Sequence, residues 1–442
     1  MVYVRQQDLP NLKQYKYSGV DHSLLSRYVL KPFYTNVVIK CFPMWMAPNL
    51  ITLSGFSFVI ANILTLLWYN PTLDQDCPPW VYASWSIGLF LYQTFDAVDG
   101  SQAYAAQHLR EKFVYADILQ ATNPPERPPR RALRPWRRCR QHIPGSARLR
   151  SLTESGNGME DRHGSIWRYA YACPQLRCLL TRPALLTFYV QTWDEYHTKT
   201  LTLGLVSGPV EGIVILTLVY AFTAIKGGAS FWQRSMFETI GIPNYPFIPE
   251  YVYNLAFNEW YMVQGGSVLI LNTVQSALNV IKARRERGDK SRGALLGLIP
   301  FFATWALIPA YLWLNPNILY NHLVPFVFFA GLVNAYSVGQ MITAHLVKLD
   351  FPYYNVLVLP IAYGVFDSLG PLLQQHIGVG WPSALGNGGY QVAYVFCMLG
   401  MAIGVYGSFV VDVIVTICDY LDIWCLTIKH PWNEEEEAKK TE

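Results

Sequence analysis

The sequence predicts an all-α protein, a polytopic bundle of transmembrane helices with about eight recognisable spans. Three observations predict it. Of 442 residues, 52% are hydrophobic and only 14% are charged, where a soluble globular chain carries about a quarter charged residues. The deficit is concentrated: apolar runs near the ~20 residues needed to cross a bilayer alternate with short polar ones. Aromatic residues make up 15%, which suits a chain with many side chains at the headgroup level. A net charge of +4 is too small to argue for nucleic acid, so the lipid bilayer is the partner that composition implies. The eight cysteines are scattered, with no CxxC pair and no metal-ligand spacing, and so point to neither a disulfide framework nor a zinc site.

Residues 1–48 read as an N-terminal cytosolic or interfacial segment. The opening MVYVRQQDLPNLKQYKYSG lacks the apolar core of a signal peptide, so insertion is expected to rely on the first span. That span, with which the segment 49–103 begins, starts near Asn49 and runs through LITLSGFSFVIANILTLLWY to Tyr69. The second, WVYASWSIGLFLYQTF, ends at Phe95 and is short for a full crossing unless the polar residues behind it also enter the membrane. From 104 to 186 the chain changes character and becomes rich in Arg, Pro and polar residues. The membrane pattern returns at LLTFYVQTW. The segment 187–425 then carries further spans around Leu205–Ile225, Trp260–Ile281, Ala294–Leu314, His322–Val347, Val356–Leu369 and Tyr390–Ile417. The connection KARRERGDKSR, Lys282 to Arg292, is the clearest basic cluster, which the positive-inside tendency places in the cytosol. The segment 426–442 ends in NEEEEAKKTE and reads as a solvated charged tail.

The run LYQTFDAVDGSQA places Asp96 and Asp99 directly behind an apolar helix. Positions three apart share a helix face. Carboxylates at the edge of the hydrocarbon are costly unless paired, hydrated or metal-bound. A hard cation such as Mg2+ takes oxygen ligands and couples carboxylates to a phosphate, and Gly100 lets a phosphorylated ligand approach the backbone. Taken alone, the pair is either a helix end facing headgroups or a metal-and-phosphate site.

The pattern D-x2-D-G-x2-A, carried by Asp96, Asp99, Gly100 and Ala103, resembles the first half of the signature of the CDP-alcohol phosphotransferases, D-x2-D-G-x2-A-R-x8-G-x3-D-x3-D. MAPNLITLSG, Met46 to Gly55, is similar to the opening of that family's first helix. TFYVQTWDEYHTKTLTLGLVSGPVEG, Thr187 to Gly212, is similar to the segment behind the catalytic helices of the eukaryotic, fungal-like choline/ethanolamine phosphotransferases. Outside the stretch after Ala103 the resemblance covers essentially the whole chain. It implies a ten-helix membrane fold, with the third and part of the fourth helix lost here. It implies transfer of a phospho-alcohol from CDP-choline or CDP-ethanolamine to diacylglycerol, with release of CMP, in the endoplasmic reticulum or Golgi membrane. It further implies Mg2+ (or Mn2+) held by Asp96 and Asp99, substrate binding by Asn49, Asp96, Asp99, Gly100 and Ala103, and is compatible with a homodimer.

Behind Ala103 the match breaks. The family's Arg is Tyr104 here, and the G-x3-D-x3-D positions fall on Phe113, Asp117 and Ala121. Asp117 meets the pattern by count alone, among neighbours unlike the family's. The last aspartate, which the resemblance implies is the general base, has no counterpart, and neither Glu126 nor Asp161 has the spacing to replace it. The run ERPPRRALRPWRRCRQHIPGSARLR reads in two ways. One is a basic surface segment facing acidic headgroups. The other is an out-of-frame stretch or retained intron. Read one base later with permitted codons, Glu126 to His142 can encode SGPLGELFDHGVDAVNT, which contains the missing G-x3-D-x3-D. Arg134 and Arg138 overlap the two shifted aspartates. The same shift from Met159 to Tyr169 can give WKTVMALFGDM, an apolar, helix-like run. Met159 before Glu160 forces a Trp codon, and Trp136 before an Arg codon that begins with C forces Gly, both where the pattern wants them. The out-of-frame reading fits better, and on it the chain as written is expected to be inactive.

Other residues carry alternatives. Asn49 is either a helix-start residue or, by the resemblance, a nucleotide contact. His197 has a side chain that titrates near neutrality, so it is either an acid–base candidate or an interfacial histidine bonded to a neighbour. Glu195 sits beside it, and Glu211, a carboxylate in an apolar run, marks a functional site by default. Two other functions compete with the transferase: a membrane transporter, which the specific D-x2-D-G-x2-A argues against, and a catalytically dead relative with a scaffold role.

Overall fold

The computed structural model describes residues 3–14, 19–21, 25–43, 46–71, 76–108, 183–203, 208–288, 292–386, 388–427 and 429. The proposed out-of-frame stretch, Asp117 and the acidic tail lie outside them.

Among the described residues the fold is a helix bundle. A short helix α1 (Lys31–Asn36) precedes α2 (Pro48–Tyr69), α3 (Pro79–His108), α4 (Pro183–Thr198), α5 (Gly208–Lys226) and α6 (Phe257–Glu286). Then follow α7 (Ile299–Leu314), α8 (Leu323–Val347), α9 (Val358–Ile377) and α10 (Gly389–Leu421). Four helices are long and apolar enough to cross a membrane, Pro48–Tyr69, Gly293–Leu314, Leu323–Val347 and Gly389–Leu421, and the chain is an integral membrane protein. The helices α3, α5, α6 and α9 overlap the other expected spans, but carry charged residues such as Asp96, Glu211, Glu259 and Asp367 within their length.

The helix boundaries correct the sequence reading at one point that matters. α3 does not stop at Phe95 but continues to His108. Nothing from Asp96 onward breaks it: there is no proline, and one Gly costs only about 1 kcal/mol against a run rich in Ala and Gln. Asp96, Asp99, Gly100 and Ala103 therefore lie within a helix, not behind one. α9 likewise passes through Pro371 to Ile377, where Gly378 takes a left-handed conformation with φ of +76°. A parallel ladder pairing Gly19–Asp21 with Leu201–Leu203 is the one β-sheet among the described residues, too short for a period-2 pattern to announce it.

The largest core cluster joins α7 to α10 through Tyr311, Phe326, Phe329, Val333, Ile361, Val395 and Met398. A second cluster seats α4 against α6 and α8. There Tyr189 donates from its hydroxyl to the Gly297 carbonyl at 2.9 Å and Trp193 from Nε1 to the Ala294 carbonyl at 3.2 Å.

α2 and α3 pack as a close antiparallel pair. A Cβ on Gly55 would sit 2.8 Å from the Phe95 Cβ, so the absent side chain is what lets the helices meet. At the other end of the pair, Trp85 Nε1 donates to Thr65 Oγ1 at 2.8 Å. α5 runs antiparallel to α3: Ser86 Oγ donates to the Thr217 carbonyl at 2.9 Å, Trp85 meets Tyr220 edge-on at 5.5 Å, and Val214 packs on the same cluster as Val98. These pairings bring the start of α2, the motif turn of α3 and the start of α5 to one end of the bundle.

The opposite end is closed by Asp76, in the connection between α2 and α3. Its carboxylate accepts from the Ala229 N–H at 3.0 Å, the Cys77 N–H at 2.9 Å and the Tyr82 hydroxyl. Burial works to raise the carboxyl pKa, but these donors outweigh it and hold the group below the usual carboxylate range.

Candidate functional site

The motif turn is built by α3. Asp96 and Asp99, three positions apart on a continuous helix, share a face, with Gly100 and Ala103 on the same stretch. Val98, between the two aspartates, is fully buried against α1. Ala97 and Val214 pack on the same cluster. Ser86 meets Thr217 and Trp85 meets Tyr220 on antiparallel helices, which places Glu211, in the first turn of α5, about level with Gln93, one turn ahead of Asp96. Glu211 is 8% exposed, and its position suits an acid at a helix N-terminus, where the macrodipole favours negative charge.

Asn49 lies at the same end, in the first turn of α2 behind Pro48. Its amide nitrogen donates to the Cys425 carbonyl at 3.1 Å, and Met46 bridges to Thr427. The segment behind α10 thus folds back onto the start of α2. The turn that permits this is a left-handed Asp422 with the Ile423 N–H bonded to the Cys418 carbonyl. Asn49 is exposed and occupied as a helix-start residue bonded to the C-terminal segment.

The last turns of α4 carry Asp194, Glu195 and His197. The His197 ring stacks on Phe351 at 5.7 Å and meets Trp193 and Tyr196 edge-on. Its Nε2 is buried with no hydrogen-bond partner among the described residues, and Arg287 donates to its backbone carbonyl at 2.9 Å. The aromatic surround makes His197 a packed residue. Glu195 Oε1 lies 3.8 Å from Nδ1 of His345 on α8. Asp194 is 5% exposed and accepts from Asn279 Nδ2 at a long 3.4 Å. Lys199 follows in a left-handed conformation, φ +62°. Desolvation, then the positive charges of Arg287 and Lys348, lower its pKa. Basic residues therefore crowd this end, in keeping with the cluster at the end of α6.

Asp96 and Asp99 have the hard oxygen chemistry that Mg2+ or Mn2+ takes. A divalent site needs about six oxygens, some from water or substrate, and no group of three His, Cys, Asp or Glu gathers to hold an ion among the described residues. These residues alone do not complete a metal site. Tyr34, which no sequence pattern singled out, packs with Val98 and Ala97, on the face of α3 away from Asp96 and Asp99. The sole signal for it was the helix-like run RYVLKPFYTNVV ahead of the first span.

No profile of a known protein family matches the chain. Individual relatives do. The chain is 36% identical over 434 residues to an uncharacterized CDP-alcohol phosphatidyltransferase class-I family protein of Schizosaccharomyces pombe, covering 96% of this chain and 97% of the relative. It is 32% identical over 442 residues to choline/ethanolaminephosphotransferase 1 of Saccharomyces cerevisiae, covering 97% and 98%. It is 31% identical over 439 residues to choline/ethanolaminephosphotransferase 1 of Arabidopsis thaliana, covering 97% and 99%.

Proposed function

The chain belongs to the CDP-alcohol phosphatidyltransferase class-I family, and on that premise we propose that it transfers phosphocholine or phosphoethanolamine from the CDP-alcohol to diacylglycerol. The diacylglycerol hydroxyl oxygen bonds to the phosphorus that carries the choline or ethanolamine ester. The phosphoanhydride bond breaks, CMP leaves with the electron pair, and the hydroxyl proton passes to a base. The product is phosphatidylcholine or phosphatidylethanolamine. The observation that carries this reading is two turns of α3, with Asp96 and Asp99 on a shared face and Gly100 and Ala103 completing the motif at one end of the bundle.

The substrate's phosphates and the two carboxylates are both anionic, so we infer Mg2+ or Mn2+ between them, with the remaining ligands outside the described residues. The ion would neutralise charge on the phosphoanhydride; this chain's own contribution is to place Asp96 and Asp99 three positions apart on one helix. The base is not assigned to His197, whose ring is enclosed by Trp193, Tyr196 and Phe351. The acceptor is a lipid, which supports a membrane of lipid synthesis, the endoplasmic reticulum or Golgi, with the polar end toward the cytosol that supplies CDP-alcohols.

The test uses purified protein made from the spliced transcript, given CDP-choline or CDP-ethanolamine with and without diacylglycerol. Release of CMP that requires diacylglycerol is the expected result. No release, or release indifferent to diacylglycerol, would overturn the assignment.

A further inference from the structure

Two lysines at the basic end of the bundle stand where the backbone favours glycine. Lys199 follows α4 with φ of +62°, and Lys348 follows α8 with φ of +58°. Each closes its helix: the Lys199 N–H donates to the Glu195 carbonyl at 2.8 Å, and the Lys348 N–H to the Ala344 carbonyl. A left-handed residue at a helix end is usually glycine, because a Cβ there crowds the carbonyl that follows. Tyr196 ties the two lysines together. Its hydroxyl donates to the Leu349 carbonyl at 2.7 Å, and Lys199 Nζ lies 4.7 Å over its ring. Arg287 joins them from the end of α6, donating to the His197 carbonyl at 2.9 Å and the Thr198 carbonyl at 3.3 Å. Lys199, Arg287 and Lys348 are exposed. Two carboxylates belong to the same turns: Glu195, 3.8 Å from His345, and Asp350, two residues beyond Lys348. Desolvation, then the charges of Arg287 and Lys348, depress the Lys199 pKa, with Glu195 opposing them. The cations therefore repel one another across this turn.

The level of the cluster in the bundle points to its partner. Lys348 directly follows the membrane span Leu323–Val347. The span Gly293–Leu314 begins beside Arg284, whose Nη1 would lie 3.9 Å from a Cβ on Gly293. These side chains stand where the hydrocarbon ends and phospholipid headgroups begin. Resistance to translocation would be met by the connection from Lys282 to Arg292 alone. It does not account for lysines brought from α4 and α8 into left-handed positions beside that connection. An anionic headgroup does account for them. Its phosphodiester accepts charge-assisted hydrogen bonds from ammonium and guanidinium groups, and its net negative charge relieves their repulsion, which a zwitterionic headgroup does not. We propose that Lys199, Arg284, Arg287 and Lys348 form a binding site for the headgroup of an anionic phospholipid in the adjoining leaflet.

Lys199→Gly combined with Lys348→Gly removes two charges at positions where glycine suits the backbone better, so the fold is kept. The full chain, made from the spliced transcript and purified in neutral detergent, would be titrated with short-chain phosphatidylserine and, separately, with short-chain phosphatidylcholine. Native mass spectrometry would count the bound lipid. The parent protein is expected to bind phosphatidylserine more tightly than phosphatidylcholine. The double variant should raise the Kd for phosphatidylserine about fivefold per lysine removed. Its Kd for phosphatidylcholine should stay unchanged, and it should unfold at the same or a higher temperature. An unchanged Kd for phosphatidylserine in the variant, or no preference for it in the parent, would overturn the proposal. A lower unfolding temperature in the variant would do the same, by making the lysines structural. Displacement of phosphatidylserine by inorganic phosphate or CDP-choline would assign the cluster to a soluble phosphate and end the lipid assignment.

Discussion

Asp96 and Asp99 depend on being two carboxylates on one helix face; either alone cannot hold the same ligand. Asp96→Ala or Asp99→Ala should abolish transfer while membrane insertion stays normal, as label entering lipid and the amount of inserted protein would show. Near-normal turnover in either variant would remove the assignment. Gly55 makes a different demand. A methyl there meets the Phe95 Cβ, which cannot swing aside as a side-chain tip can. Gly55→Ala should therefore cost about 1–3 kcal/mol, seen as a lower unfolding temperature in detergent. Asp76 bears on pH. Its folded-state pKa is depressed, so its stabilisation is present above the unfolded value and lost as pH falls through the lower, folded one. The difference in unfolding temperature between the wild type and Asp76→Asn should hold steady from about pH 7 to about pH 5 and shrink only in stronger acid. A difference gone by about pH 6 would contradict the lock. Some residue roles were legible from sequence and others were not. The spacing of Asp96 and Asp99 is a local property that a helix preserves. The burial of Tyr34 and the aromatic enclosure of His197 are made by partners far along the chain, Val98 and Phe351, which no local pattern names.

The helices themselves were read best where apolar length alone decides. The span from Asn49 to Tyr69 and that from His322 to Val347 agree with α2 and α8 to within a residue or so, because a break in hydrophobicity and the helix end coincide. They disagreed where a helix outlasts its apolar stretch. α3 continues through DGSQAYAAQH because helix formation asks for propensity and hydrogen bonds, not hydrophobicity. The C-terminal fold-back onto Asn49 was also hidden, since it joins residues 376 positions apart. The basic end of α6 carries a prediction of its own. Lys282, Arg284, Arg285 and Arg287 stand at the end of the bundle where Arg287 meets the His197 carbonyl, and basic residues resist translocation. A glycosylation-acceptor tag placed in the connection from Lys282 to Arg292 should stay unmodified. Efficient modification would invert the topology and move the motif turn away from the cytosolic substrates.

At the scale of the whole molecule, the bundle gathers the motif turn, Glu211, Asn49 and the basic end of α6 to one side, yet the second half of the signature is met at its expected positions by Asp117 alone, and there by count only. Phe113 and Ala121 stand where glycine and aspartate are required, and Arg134 and Arg138 stand where a one-base shift would place aspartates. A cation at a metal-ligand position repels Mg2+, and each Arg near the centre of a span costs roughly 2.5 kcal/mol or more. On the out-of-frame reading, the chain as written would lack the carboxylates that the second half of the signature carries. The decisive measurement expresses the literal sequence and the frame-restored sequence in cells without their own phosphotransferase, and follows labelled CDP-choline or CDP-ethanolamine into membrane lipid. The account predicts label in lipid from the restored protein and none above background from the literal one; equal incorporation by the two would show that the missing carboxylates are not essential.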